Sequence, residues 1–471
     1  MHTTSSNIYE LLTGYDNVEY QLTPRRSGGH LTVTEVKSPT ICVVKAVLLH
    51  NNEVEQDKLL HVLLPSTHIV GLDTVNLLVG GDYEACSTEQ QEALLLSEDL
   101  NTVPSIPRWQ RLPCLIDSSV FMYDKVLLDP GNGVELVELN KLSFSKLVAR
   151  CLRAQVASPI PTLMKGAEKD EEVIRDSLSQ FTQRRIKQRL EETLELPPIP
   201  RTTQKIIALR ANPEADVAEL TQAVEIDPSL AAQVVSWASS PYYAAPGEIK
   251  SVHDAIVRVL GFDMVLNMAL GLTLGKSMSM KSLSASEVQN YWREAVLVAS
   301  TTESLVMAIP AKKRPERGLA YLTGLLNNFG TLVMSEVFPL YHKQIKRIHA
   351  ANPHCQRAEI ELYALGTCGQ QIASWLLNQW SMPSAVCEAI RQSALSRDAI
   401  TSDSEMSVYA QLLRLARGLL AKSEMLAPER FDETVKLMEV LEIASDKADI
   451  VVERIKELEQ EFIGFSMTLA R

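Results

Sequence analysis

Apolar positions change their period part-way along the chain. Up to about residue 150 they fall in short, β-branched runs: Leu31–Val36, Ile41–Leu49, Leu59–Leu64 and Lys125–Leu128. Turn-forming residues bound these runs at Ser27-Gly28-Gly29, Asn51-Asn52, Gly80-Gly81 and Asp129-Pro130-Gly131-Asn132-Gly133. Such runs between such signals predict strands. Tyr9–Leu12 and Thr88–Leu96 read as helical, so residues 1–155 are expected to form an α+β domain.

Past Ser158-Pro159-Ile160-Pro161 the spacing becomes helical. The charged stretch Glu168–Glu195 carries Val173, Ile174, Leu178, Phe181, Ile186 and Leu190 as an amphipathic stripe. Residues 156–185 are read as a helical linker, and Arg184, Arg185, Lys187 and Arg189 as a solvated face. Asp216 is placed to cap a helix carrying Val217, Leu220 and Val224, and Asp227-Pro228 supplies an N-cap and a first-turn proline. Gly261 is a helix-end candidate after Val252–Leu260, and Asp263 a cap for the next helix. Helices are predicted over Val288–Ile309, Leu319–Phe338, Ala358–Trp380 and Ser384–Ala394, with a helical tail from Val408 to Ile463. The fold class is therefore multidomain: an α+β domain, an all-α domain over 186–395, and a helical C-terminal extension over 396–471.

Composition narrows the function. The 471 residues are 46% hydrophobic and 22% charged, with a net charge of −12. Residues 1–160 hold 12 Lys+Arg against 19 Asp+Glu, which disfavours a polyanionic partner such as tRNA, since phosphate binding needs clustered cations. Arg25-Arg26 and Arg108/Arg111 are the basic hints there. Seven cysteines with no CxxC spacing read as buried or free thiols of a reducing cytoplasm. The opening MHTTSSNIYELL lacks a basic stretch followed by an apolar one, so no leader is expected. The uncharged run Pro228–Gly247 is interrupted by Pro241 and Pro246, so no membrane span is expected.

Candidate chemistry comes next. Lys45 interrupts the apolar strand Ile41–Leu49, and a strand-centre ammonium either points outward or lines a pocket. His253 at a helix start reads as exposed or capping. Trp237, Tyr242, Tyr243, Trp292, Trp375 and Trp380 fall at apolar helix positions, as core residues do.

The helical half carries an ordered motif series: Leu196-Pro197-Pro198-Ile199-Pro200, then Ile226-Asp227-Pro228-Ser229-Leu230, then Ser239-Ser240-Pro241-Tyr242-Tyr243, then Ile249–Ile256 and Val259-Leu260-Gly261-Phe262. This series resembles the HDOD domain over about residues 186–395, with Ser239 where that family usually has Asn. HDOD domains are similar to HD-superfamily phosphohydrolases, which hold a divalent metal with His and Asp residues on facing helices. The resemblance puts Glu294, Asn327-Asn328, Cys368-Gly369 and Gln392-Ser393 at those positions, so no metal and no cofactor is expected.

In the first half, Lys45 on its strand, Leu112-Pro113-Cys114-Leu115-Ile116-Asp117, Lys125–Leu128 and Gly131-Asn132-Gly133 together resemble the YbaK / prolyl-tRNA-synthetase-associated domain. That family hydrolyses misacylated tRNA. The resemblance implies catalytic positions at Lys45 and Asp117, with Ser105, Gly131 and Gly133 as ligand-binding positions. The family's G-x-x-S-P loop aligns with Val103-Pro104-Ser105-Ile106-Pro107, where its glycine is replaced by Val103 and its serine by Ile106. The two resemblances imply a non-catalytic bacterial signal-transduction protein, pairing an HDOD module without HD metal ligands with a YbaK-like ligand-sensing domain. The alternative is an aminoacyl-tRNA deacylase acting through the first domain. The expected partners are a regulatory protein or a small ligand, without a membrane; a homo-oligomer is compatible with the sequence.

Overall fold

A single long strand, β2 (Ile41–Asn51), organises the first part of the chain. The structure, a computed structural model, describes residues 18–24, 40–53, 59–98, 100–177, 200–277, 283–337, 339–395, 406–427 and 433–470. The strands predicted at Leu31–Val36, the helix at Tyr9–Leu12, the turn at 27–29, Arg25-Arg26, the stripe beyond residue 177 and the motif at 196–199 lie outside these residues. The chain divides into two compact units: Met1–Pro161 with Lys343–Ile360, and Thr162–His342 with Glu361–Arg471.

In the first unit, β2 pairs antiparallel with β3 (Leu59–Pro65) and, through its first residues, parallel with β7 (Lys125–Leu128). The main sheet runs β1-β8-β7-β2-β3-β6-β9, adding Tyr20–Pro24 (β1), Glu135–Asn140 (β8), Cys114–Asp117 (β6) and Leu152–Ala154 (β9). β5 (Tyr83–Ala85) pairs the far end of β2, and β4 (His68–Val70) pairs β10 (Ala157–Pro159) separately. The sheet is mixed and both faces are packed. One carries Cys42, Val44, Leu48, Leu63, Ile116 and Phe144; the other carries Val47, Leu49, Val62, Leu64 and Leu115. The helix Thr88–Leu96 forms as predicted, opened by a capping box between Ser87 and Gln90.

The segment 343–360 was read from sequence as part of the helical domain; its contacts place it in the sheet unit instead. Ala351 packs on the second sheet face. The buried Asn352 side chain accepts from Val70 N–H (2.7 Å) and donates to Val70 C=O (3.2 Å), as a neighbouring strand would. Nε2 of His354 lies 2.8 Å from the His68 carbonyl, and Arg347 makes ion pairs with Asp82 and Glu84. These bonds satisfy the backbone edge of β4 that β10 leaves open.

The second unit is helical. Asp216 and Asp227 cap the helices Val217–Glu225 and Pro228–Ala238 as read, and Gly261 ends the turn Ile256–Leu260 with a positive φ of 85°. Asp263 is not a cap, because the helix Phe262–Ser277 already begins one residue earlier. Two long helices expected from periodicity are each broken. Leu319–Phe338 is Arg317–Leu325 followed by Phe329–Val337; Ala358–Trp380 is Arg357–Leu365 followed by Gly369–Gln379. The tail is also several helices: Val408–Lys422, Thr434–Val440, Ser445–Glu457 and Glu459–Leu469.

Trp237, Tyr242, Trp292 and Trp380 are buried core residues, while Tyr243 and Trp375 are half-buried and His253 is exposed. Residues 162–177 are docked within this unit rather than forming a free linker. Arg391 grips the buried Asp170 through two bonds (2.5 and 2.9 Å) and donates to the carbonyls of Met164, Lys165 and Gly166. No described helix is long and apolar enough to cross a membrane.

Candidate functional site

Alternation along β2 puts Lys45 on the face that carries Val47 and Leu49, where it is half-buried. Its cross-strand neighbour is Leu64, and the β3–β6 register, Leu63 beside Ile116, brings Asp117 next in that row. Lys45 and Asp117 are therefore two strands apart, ~10 Å by strand spacing, with buried Leu64 between them. The buried Asp117 carboxylate accepts from the backbone N–H groups of Ser119 (2.9 Å), Val156 (2.7 Å) and Ala157 (2.7 Å), and from the Ser119 hydroxyl. It thereby caps the turn Ser118–Met122 and ties β10 to the end of β6. Burial, and then the charge of Asp117, push the Cys42 thiol up to about 12.

Ser105 and Gly131 are brought together, around a residue the sequence reading used only as a turn signal, while Gly133 stands beside Asn101 instead. Asp129, buried at the end of β7, donates its N–H to Ser105 Oγ (2.6 Å) and accepts the Ser105 N–H at its carbonyl (2.8 Å). Its carboxylate accepts from Gly131 N–H (2.7 Å) and from the Thr102 hydroxyl (3.3 Å). Gly131 has a φ of +87°, and a Cβ there would stand 2.6 Å from the Thr102 carbonyl. Glycine is thus required where the two loops touch. His61 fastens the same loop from below. Burial lowers its pKa to about 4, against the raising effect of its bond to Pro104, so the ring is neutral and Nε2–H donates to the Pro104 carbonyl (2.9 Å).

In the helical unit the break after Leu325 carries two consecutive amides, Asn327 buried and Asn328 half-buried. Asn328 donates to Glu294 Oε2 (2.8 Å), which projects from the helix Ala285–Ala308. Asn327 donates to the Gly324 carbonyl (2.7 Å), and its oxygen accepts from Arg417 (2.9 Å), with Asn328 Oδ1 at 3.5 Å from the same nitrogen. Arg417 comes from Val408–Lys422, in the C-terminal extension. Sequence reading missed it, although a cation set among Leu415, Ala416, Leu419 and Leu420 was a visible signal.

The second break abuts the first. A Cβ on Gly330 would stand 2.3 Å from the Gly369 backbone. Gly369 N–H donates to the buried Glu361 (2.7 Å), and the Cys368 thiol is pushed up to about 12 by burial, then by Glu361. Gln392 and Ser393 are engaged elsewhere: Gln392 accepts from Ser407 N–H (2.8 Å) and Ser393 donates to the Ile390 carbonyl (2.6 Å).

A model of the HDOD domain matches residues 196–395. A solved structure from Marinobacter aquaeolei VT8, provisionally named a signal transduction protein, is 32% identical over 99% of both chains, with a TM-score of 0.79. The chain belongs to the HDOD family. A second structure, from Shewanella amazonensis SB2B and provisionally named a phosphohydrolase, aligns with the HDOD chain at 18% identity, covering 62% of it and 98% of its own length, with a TM-score of 0.47. A third, provisionally named a trans-editing enzyme for prolyl tRNA synthetase, aligns at 14% identity over 34% of the HDOD chain and 99% of its own, with a TM-score of 0.28. No curated protein matches.

The residues at these positions do not fit the divalent metal of HD hydrolases. Glu294 is the one carboxylate among the seven residues that the resemblance puts at ligand positions. The Asn327 oxygen already accepts from a guanidinium, which is permanently charged and repels a second cation. Among the described residues no group of three or more His, Cys, Asp or Glu converges that could hold a metal.

Proposed function

We propose that this HDOD protein is a non-catalytic regulatory protein, whose first domain senses a ligand and whose helical part conveys the bound state to a protein partner. The observation that carries this reading is the Arg417 guanidinium held between Asn327 and Asn328, where an HD hydrolase would need metal-binding side chains. A metal-bound water is what such an enzyme uses as nucleophile. A cation, two amides and a carboxylate already bonded to an amide supply no substitute for it. The whole-length relative named for signal transduction supports the same reading.

The test is turnover by the full-length protein on a panel of phosphomonoesters and phosphodiesters with added Mn, Fe or Mg. No turnover is expected. Hydrolysis that Glu294→Gln abolishes would overturn the proposal. The editing reading keeps one specific observation in its favour, a half-buried Lys45 in the same cross-strand row as Asp117. A parallel panel of misacylated tRNAs separates it: deacylation lost in Lys45→Ala would make the first domain an enzyme.

A further inference from the structure

β6 and β9 run parallel, with Leu115 beside Leu152 and Ile116 beside Arg153. That register sets Cys114 beside Cys151, one step earlier on each strand. Paired residues of adjacent strands point to one face, and both cysteines contribute to the same core cluster. Neighbouring strands lie ~4.8 Å apart, inside the Cα separation that a disulfide spans. The two thiols lie within interacting distance of each other.

We propose that Cys114 and Cys151 are a redox-active pair that closes to a reversible disulfide when the protein meets a peroxide.

The pair is asymmetric in the way such chemistry needs. Six of the seven cysteines are buried, and Cys151 is the one that is not. The pKa of the Cys151 thiol is lowered by its interaction with Cys114 and, against its partial burial, by the nearby Arg108 cation, which favours its thiolate. Cys114 is buried while Cys151 is half-buried, so a peroxide reaches Cys151 first and Cys114 is the resolving partner. Cys42, Cys368 and Cys387 are pushed up to about 12, chiefly by burial, and are correspondingly inert.

The chemistry balances with one peroxide. The Cys151 thiolate attacks a peroxide oxygen: an S–O bond forms, the O–O bond breaks, and hydroxide leaves to take up a proton. The Cys114 sulfur then attacks the sulfenic sulfur: the S–S bond forms, the S–O bond breaks, and the departing hydroxide leaves as water with the Cys114 proton. Two thiols are oxidised, and one peroxide is reduced to two waters.

The place matters because of what adjoins it. Arg108 (φ 63°), Gln110 (φ 50°) and Arg111 (φ 59°) all lie in the left-handed region that non-glycine residues rarely adopt. This strained turn joins the clasp around Ser105 to Cys114, and the Arg108 backbone bonds to the Cys114 sulfur. Locking the sulfurs therefore acts on the end of the loop that carries Ser105.

The test is mass spectrometry on the full-length protein, treated with hydrogen peroxide, alkylated and digested. A peptide pair joined through Cys114 and Cys151 is expected at doses that leave the other five cysteines unmodified, and dithiothreitol should reverse it. Arg108→Gln, which keeps the backbone and removes the charge, should slow its formation by up to about tenfold, the thiolate loss of one pKa unit. Cys114→Ser should instead leave a sulfenic acid on Cys151, trapped by dimedone. The proposal fails if the wild-type protein shows no joined peptide at doses that oxidise its buried cysteines, or if Cys151 reacts no faster than Cys86.

Discussion

His61, Arg417 and Asp117 show how single polar side chains hold the loops and breaks of this chain. His61 is neutral and buried, with its pKa lowered to about 4 from the ordinary 6.5. The unfolded chain therefore binds a proton between those values that the folded chain does not. Stability should be full above pH 6.5 and fall as the pH drops toward 4, by about 3 kcal/mol from this group. Urea unfolding followed across that window checks it. His61→Gln, which retains a donor for the Pro104 carbonyl, should flatten the profile.

Arg417 acts differently, because its charge does not titrate. Arg417→Ala leaves the buried Asn327 oxygen without its guanidinium partner, and about 1–3 kcal/mol of stability should be lost in chemical denaturation. Asp117→Ala strips a carboxylate from three backbone N–H groups at once, and a loss of about 3 kcal/mol or more is expected. The turn at 129–133 was legible because turn chemistry is local, and Ser105 was set beside its glycines by the family resemblance alone. The role of Asp129 in joining Ser105 to Gly131 was not legible, since its bonds to Thr102 and Ser105 reach back more than twenty residues.

Among elements, the informative departures are the two helix breaks. Period-3.6 patterning runs through Leu325-Leu326 and Leu365 without interruption, so each pair of helices read as one. The breaks lie at Leu326–Asn328 and Gly366–Cys368, and Gly366 adopts a φ of 74°. What fixes them is tertiary: Gly330 meets the Gly369 backbone more closely than any side chain allows. Gly330→Ala should thus cost about 1–3 kcal/mol through overpacking, and more than Gly369→Ala, whose added methyl has its nearest neighbour at 3.1 Å. Thermal melts of both variants decide the order. Capped helices fared better in the sequence, because Asp216 and Asp227 each satisfy a donor two or three residues away.

For the whole molecule, the sheet and helical parts were legible from the change of period, but the make-up of the first unit was not. Asn352 bonds to Val70 across 282 positions, and no local pattern announces such a pairing. Asn352→Ala leaves both polar groups of Val70 unpaired on a buried edge. A drop of about 2 kcal/mol is expected, seen in the first unit's own unfolding transition by hydrogen exchange of β3 and β4 amides.

That arrangement has a consequence for the order in which the protein is made. The sheet of the first unit is complete in sequence by residue 161, yet the piece that covers β4 begins at residue 343. At ~5–20 residues per second a ribosome needs about 10–40 s to synthesise the stretch between. For that interval the nascent sheet presents Val70 and its apolar neighbours without Ala351 and Asn352. The first unit therefore emerges early and closes late.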